Sequence, residues 1–144
     1  MTADRFTIRA SGIVLIDEYW RVLLETADYR PHLFVPGGAA MADEIPLQTA
    51  IRELREELGI TDVELQLRLI DFTGRRAGGN GVEHYWYSAN VCADSLAVHP
   101  DMVEVTGWSW YDATDAIGLV AAEYQGRLAA VLDAHRKHTK FVLR

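Results

Sequence analysis

Residues 46 to 58, PLQTAIRELREEL, carry a helical pattern inside a chain that otherwise reads mainly as strands, and this contrast constrains the fold more than any other feature. Pro46 suits a first helical turn, Gly59 suits a left-handed cap at the far end, and Ile60 can fold back on Leu54. At about 100° per residue, with Glu53 at zero, Glu56 and Glu57 fall within about 60° of it, so the three carboxylates share one stripe. Leu47, Ala50, Ile51, Leu54 and Leu58 occupy the neighbouring arc and are expected to anchor the helix in a core. Arg55 turns to the opposite side, and Arg52 lies one turn before Glu56. Like charges at these spacings repel by a few tenths of a kcal/mol per pair, roughly, on an exposed helix and by more in a cleft. Something must compensate them.

The runs FTIRASGIVLID (6 to 17) and WRVLLET (20 to 26) predict a hairpin, and LFVPGG predicts a short strand ending in a turn. VELQLRLIDFTG, EHYWYSANVCA and EVTGWSWYD read as three further strands. Asp112 can cap a short helix in ATDAIGL, and a last helix is expected from about Val120 to His135, with Leu128, Val131 and Leu132 on one side. Strands, helix, strands, helices in that order imply an α+β fold, a mixed sheet with helices packed on it. No repeat, linker or low-complexity tract interrupts the 144 residues, so a single domain over 1–144 is expected. The longest turn-rich insert is GRRAGGNG, residues 74 to 81. With 49% hydrophobic residues the chain can build a real core, which excludes a disordered tail.

A formal charge of −7, with no basic block or basic amphipathic helix, argues against nucleic acid or an anionic membrane as partner. Any phosphate must be met locally, by a few arginines or by metal ions. Cys92 is the sole cysteine, which excludes internal disulfides and thiolate clusters, and its apolar surroundings predict a buried, inert thiol. No apolar run reaches transmembrane length and MTADRFTIRA lacks the features of a signal peptide, so the cytoplasm is the expected location.

The residues flanking the acidic stripe decide between a solvated face and a site. Gly38 is followed after five residues by Glu44, then after seven by Arg52-Glu53-Leu54, then one residue, Glu56-Glu57, one residue, and Gly59-Ile60. This stretch resembles the Nudix box at every specified position. With residue frequencies of several per cent each, a chance match at one given start falls below about 10⁻⁸. The resemblance is strict over residues 38 to 60 and looser elsewhere, where SGIVLID, RVLLE, EHYWYSANV and WSWYD stand at the family's usual strands.

The resemblance implies a Nudix-type α/β/α sandwich with a central mixed β-sheet. It also implies an enzyme that uses Mg²⁺ or Mn²⁺ to add water across the diphosphate of a nucleoside diphosphate linked to another group. Carried over by position, Glu53, Glu56 and Glu57 would be metal ligands, with the Gly38 carbonyl and that of Gly37 as further donors. Hard oxygens suit such ions, and bound cations would relieve the crowding. Arg52 would orient a box carboxylate, Glu44 would brace Arg52, and Gly59 would close the helix. The general base varies in the family, so Glu53 and Glu104 are both candidates, Glu104 alternatively being an exposed carboxylate at a strand edge. Glu83 and His84 fit a solvated strand end better than a substrate or metal contact. Arg75 and Arg76 could close on a phosphate or simply form a hairpin tip. Phe34, Trp86 and Trp110 could stack on a base or belong to the core. Family relatives that act as silent sensors or interaction domains usually lose box glutamates, and none is lost here. A homodimer is common in the family but has no mark in the sequence.

Two positions depart from the usual pattern. Met41 stands where relatives are often acidic, and Ile45 stands where a small hydroxyl residue often caps the helix, an omission costing about 1 kcal/mol and partly offset by Asp43 and Glu44. The substrate itself is unmarked. Arg75 and Arg76 replace the proline frequent in ADP-ribose relatives, Ala77 and Gly78 replace the tyrosine of dinucleoside polyphosphate relatives, and LLETADYRPHLFVPGG lacks the coenzyme A motif. Nucleoside triphosphates, nucleotide sugars and other small diphosphates all remain within range.

Overall fold

The computed structural model describes residues 7–74 and 81–142. Along the chain run β1 (Thr7–Ile16), β2 (Arg21–Thr26), β3 (Gly37–Ala39), α1 (Pro46–Leu58), β4 (Gln66–Thr73), β5 (Gly81–Asn90), β6 (Gly107–Asp112), α2 (Ala113–Leu119), α3 (Ala122–Lys137) and β7 (Phe141–Val142). The sheet has the order β6-β2-β1-β5-β4-β7, with β3 paired to β1. It is mixed, as expected: β1 runs antiparallel to β2 and β3 but parallel to β5, in register from Thr7 opposite Gly81 to Ile16 opposite Asn90.

Alternation along β1 divides the core in two. Ile13 and Leu15 face one side, with Leu23, Tyr87 and Ala89, and meet Ala50, Leu54 and Leu58 of α1. Val14 and Ile16 face the other, with Val22, Leu24 and Trp86, and meet Ala113, Ala116, Leu128, Val131 and Leu132 of α2 and α3. Burial of each such side chain is worth about 1.5–3 kcal/mol, so both helical layers are held to the sheet chiefly by apolar area. The result is the α/β/α sandwich.

Local signals behave as the residues dictate. Pro46 opens α1, Gly59 closes it at φ 66°, and the Ile60 amide reaches the Leu54 carbonyl at 3.4 Å. Ile45 supplies no side-chain cap, but Gln48 Oε1 accepts from its backbone N–H at 3.1 Å, one half of a capping box. Asp112 caps α2 by accepting from Thr114 N–H at 3.0 Å.

Three expectations need correction. Leu47 and Ile51 are exposed although Leu54 and Leu58, farther along the same side of α1, are buried: in the first two turns the helix buries Thr49 and Ala50 instead, and this side is covered only toward the C-terminal half. The short strand lies beyond Pro36, at Gly37–Ala39, and Phe34 contributes only an isolated bridge to Glu25. Cys92 is exposed: β5 ends at Asn90, so the thiol falls in the following turn, 3.3 Å from Glu18 Oε2.

Candidate active site

Two carboxylates of the acidic stripe of α1 meet the glycines of β3 beside a cavity of about 280 Å³. Glu53, Glu57, Gly37, Gly38 and Glu104 line it, together with Tyr29, Arg30, Phe34, His84, Trp86 and Tyr124 among others. The three box carboxylates are unequal. Glu57 is buried, Glu53 is half-buried, and Glu56, which does not line the cavity, has its side chain 48% exposed.

Arg52 organises this group. Its Nε and Nη2 donate to Glu44 at 2.7 and 3.0 Å, its Nη2 also reaches the Ala39 carbonyl at 3.1 Å, and its Nη1 donates to Glu53 at 3.3 Å and Glu56 at 3.0 Å. One guanidinium thus ties the 39–44 loop to two box carboxylates. Glu44 also accepts from Thr49 Oγ1 at 2.8 Å and from the Met41 amide at 2.9 Å. The arginine's hydrogen bonds and that amide hold the Glu44 carboxyl down to about 2.

Glycine is required at the turn. A Cβ on Gly38 would run into the Glu53 carboxylate, and one on Gly37 would run into the Ser11 carbonyl, while Gly37 itself sits at φ 153°. The Gly37 amide donates to Glu57 Oε1 at 3.2 Å, fixing that carboxyl against the turn.

The loop bearing Glu104 is docked on the end of α1. His99 and Asp101 amides donate to the Leu58 and Glu57 carbonyls at 2.7 and 3.0 Å, satisfying groups that a helix end leaves open. Asp101 Oδ1 then accepts from the amides of Val103, Glu104 and Val105, which folds the turn and sets Glu104 at the cavity rim. Glu104 is itself exposed.

Of the aromatic candidates, Phe34 and Trp86 line the cavity, whereas Trp110 packs with Trp108 against the α1 side of the core. Arg30 lies 4.2 Å above the Phe34 ring and 5.6 Å from Tyr29. His84 lines the cavity with Nε2 2.8 Å from Thr73 Oγ1, and burial lowers its pKa. Glu83 instead pairs with Arg9 at 3.4 Å and accepts from the Tyr85 hydroxyl. Arg75 and Arg76 lie outside the described residues.

Sequence reasoning missed Glu25, Tyr29, Arg30, Asp101 and Tyr124. Glu25, on β2, is wholly buried, and neither carboxylate oxygen has a hydrogen-bond partner. Burial pushes the Glu57 carboxyl far above the usual range, and the adjacent Glu25 adds to it; burial pushes Glu25 up as well, against the contact from Glu57. Two carboxyls in contact are compatible with a shared proton or with a cation. Burial also raises Glu53, against the pull of Arg52.

These donors fit a hard divalent cation. All are oxygens, Glu53 and Glu57 meet the glycines of β3, which bring the backbone close, and two buried acceptors lack donors. Among the described residues no three Asp, Glu, His or Cys side chains are already drawn together at one point, so the carboxylates must rotate inward to share an ion.

The NUDIX domain pattern matches residues 6–133. An RNA pyrophosphohydrolase of Halorhodospira halophila (strain DSM 244 / SL1) is 30% identical over 116 residues, covering 70% of this chain and 64% of that protein. An uncharacterized Nudix hydrolase, YfcD, of Salmonella typhi is 41% identical over 69 residues, 44% of this chain and 38% of its own. The chain thus spans less than two thirds of these relatives' lengths. Among solved structures, a C. elegans Ap4A hydrolase binary complex superposes with a TM-score of 0.68 at 26% identity, over 91% of this chain and 98% of that one. A MutT Nudix hydrolase from Burkholderia pseudomallei shares the fold, with a TM-score of 0.69 at 19% identity over 87% and 98%.

Proposed function

The chain belongs to the Nudix family, and from that premise we propose that it is a divalent-metal-dependent pyrophosphohydrolase of nucleotides or nucleoside diphosphate derivatives, one domain over residues 1–144. The single observation that carries this reading is the convergence of Glu53, Glu57 and the Gly37–Gly38 turn on one cavity that also holds aromatic walls. The relatives named for RNA and Ap4A hydrolysis support the reaction class. A net charge of −7 favours a small substrate over a polyanion or a membrane, and among the described residues no helix is long and apolar enough to cross one.

In this reading Glu53, Glu56 and Glu57 with the Gly38 carbonyl hold Mg²⁺ or Mn²⁺. Such an ion, when bound, neutralises the diphosphate and makes a water more acidic. Glu53, lining the cavity against Gly38, accepts the water's proton. Glu104 is the alternative base, at the rim of the same cavity. Arg52 and Glu44 keep the carboxylates aligned. Phe34, with Arg30 over it, receives the base or other ring, and Arg75 and Arg76, outside the described residues, are the sequence's candidates for a phosphate contact.

The test is a phosphate-release screen in Mg²⁺ and in EDTA, across nucleoside triphosphates, ADP-ribose, nucleotide sugars, dinucleoside polyphosphates and a 5′-triphosphorylated RNA. Metal-dependent turnover of a small diphosphate is expected. No turnover of any, with metal bound, would favour the silent nucleotide sensor instead.

A further inference from the structure

Glu25 is a buried acid for which the hydrophobic core offers no use. Its strand neighbours Val22, Leu23 and Leu24 are fully buried aliphatics that belong where they are, and Glu25 is equally inaccessible at 0% exposure. Neither of its oxygens meets a donor other than the neighbouring Glu57 carboxyl, itself an acid, although buried polar groups are almost always paired. The charged groups around it are Glu57, Glu53 and Asp101, all acidic, and Arg30, whose guanidinium stacks on Phe34. Arg52 offers no relief, since its donors already serve Glu44, Glu53, Glu56 and Ala39. A set of oxygen acceptors without donors is what a hard cation stabilises and what a proton donor on the protein would otherwise have to supply.

Resting on the hydrolase reading above, we propose that Glu25 is a further metal ligand, joining Glu57 to hold a divalent cation from the β2 side of the site. The residue lies outside the 38–60 motif and does not itself line the cavity; β2 carries it beneath α1, beside Leu23, so that its carboxyl meets that of Glu57, which does line it. Glu57 also accepts from the Gly37 amide at 3.2 Å, so a cation between Glu25 and Glu57 would meet a ligand already anchored by the backbone.

Mn²⁺ is the probe, titrated into nucleotide-free full-length protein and followed by electron paramagnetic resonance of the free ion, beside thermal unfolding with and without Mn²⁺. Glu25→Gln and the apolar Glu25→Leu are compared with wild type. The expected result is that both variants bind Mn²⁺ about 10- to 100-fold more weakly. Both should also unfold at a higher temperature than wild type in EDTA, and gain less from Mn²⁺. Wild-type Mn²⁺ affinity in either folded variant would overturn the proposal and leave the hydrolase reading intact. A wild-type protein that binds no Mn²⁺ would overturn both.

Discussion

Arg52 grips Glu44 with two parallel hydrogen bonds, Nε to Oε2 at 2.7 Å and Nη2 to Oε1 at 3.0 Å, while its Nη1 remains for Glu53 and Glu56. A lysine can supply the charge but not the fork. Arg52→Lys should therefore lower kcat/KM by about 10- to 100-fold, with a folded protein of nearly unchanged circular dichroism. Wild-type turnover in that variant would show that the alignment of Glu53 does not depend on Arg52.

Two residues on one side of α1, two turns apart, should differ sharply in their contribution to stability. Leu58→Ala empties a fully buried position and should cost about 2–5 kcal/mol by urea unfolding, whereas Ile51→Ala, at a residue 48% exposed, should stay within about 0.5 kcal/mol. Equal losses would mean that α1 packs through the arc first expected from the sequence.

His135 gives a pH dependence. It is buried, its Nδ1 is 2.7 Å from Ser88 Oγ, its Nε2 is 2.9 Å from Asn90 Oδ1, and its other neighbours are Trp20, Arg68 and His138. Burial lowers its pKa below 6.5, with Arg68 adding to the effect. The unfolded chain then binds the proton more readily, so this contribution is present above the unfolded value and is lost as pH falls through the folded one. Between about pH 7 and 5, the unfolding temperature of wild type should fall more steeply than that of His135→Gln. Parallel slopes would contradict a neutral buried ring.

Phe34 should affect substrate and not metal. Stacking of a base on an aromatic ring is worth about 1–3 kcal/mol, so Phe34→Ala should raise KM for a nucleotide substrate by roughly 5- to 150-fold while Mn²⁺ affinity stays the same. An unchanged KM would return Phe34 to a packing role beneath Arg30.

What could be read from the residues was local. Pro46, Gly59 and Asp112 act within a turn of themselves, so α1 and the start of α2 follow directly from them. The parallel pairing of β1 with β5, which joins residues about seventy positions apart, leaves no such mark. Leu47 and Ile51 misled because angular position on a helix fixes a face but not how much of that face's length is covered. Glu25 escaped notice for a related reason: at the end of RVLLE it looks like a polar residue leaving the core, and only the sheet's placement under α1 buries it beside Glu57. The metal candidates on α1 were legible because one helix carries them all.

The most direct test is kcat under saturating Mg²⁺ for the best substrate of the screen, compared among wild type, Glu56→Gln and Glu57→Gln. If these side chains hold the ion that supports diphosphate cleavage, each variant should lose on the order of 10²-fold or more. Wild-type turnover by both would contradict the assignment of α1 as the metal-binding element.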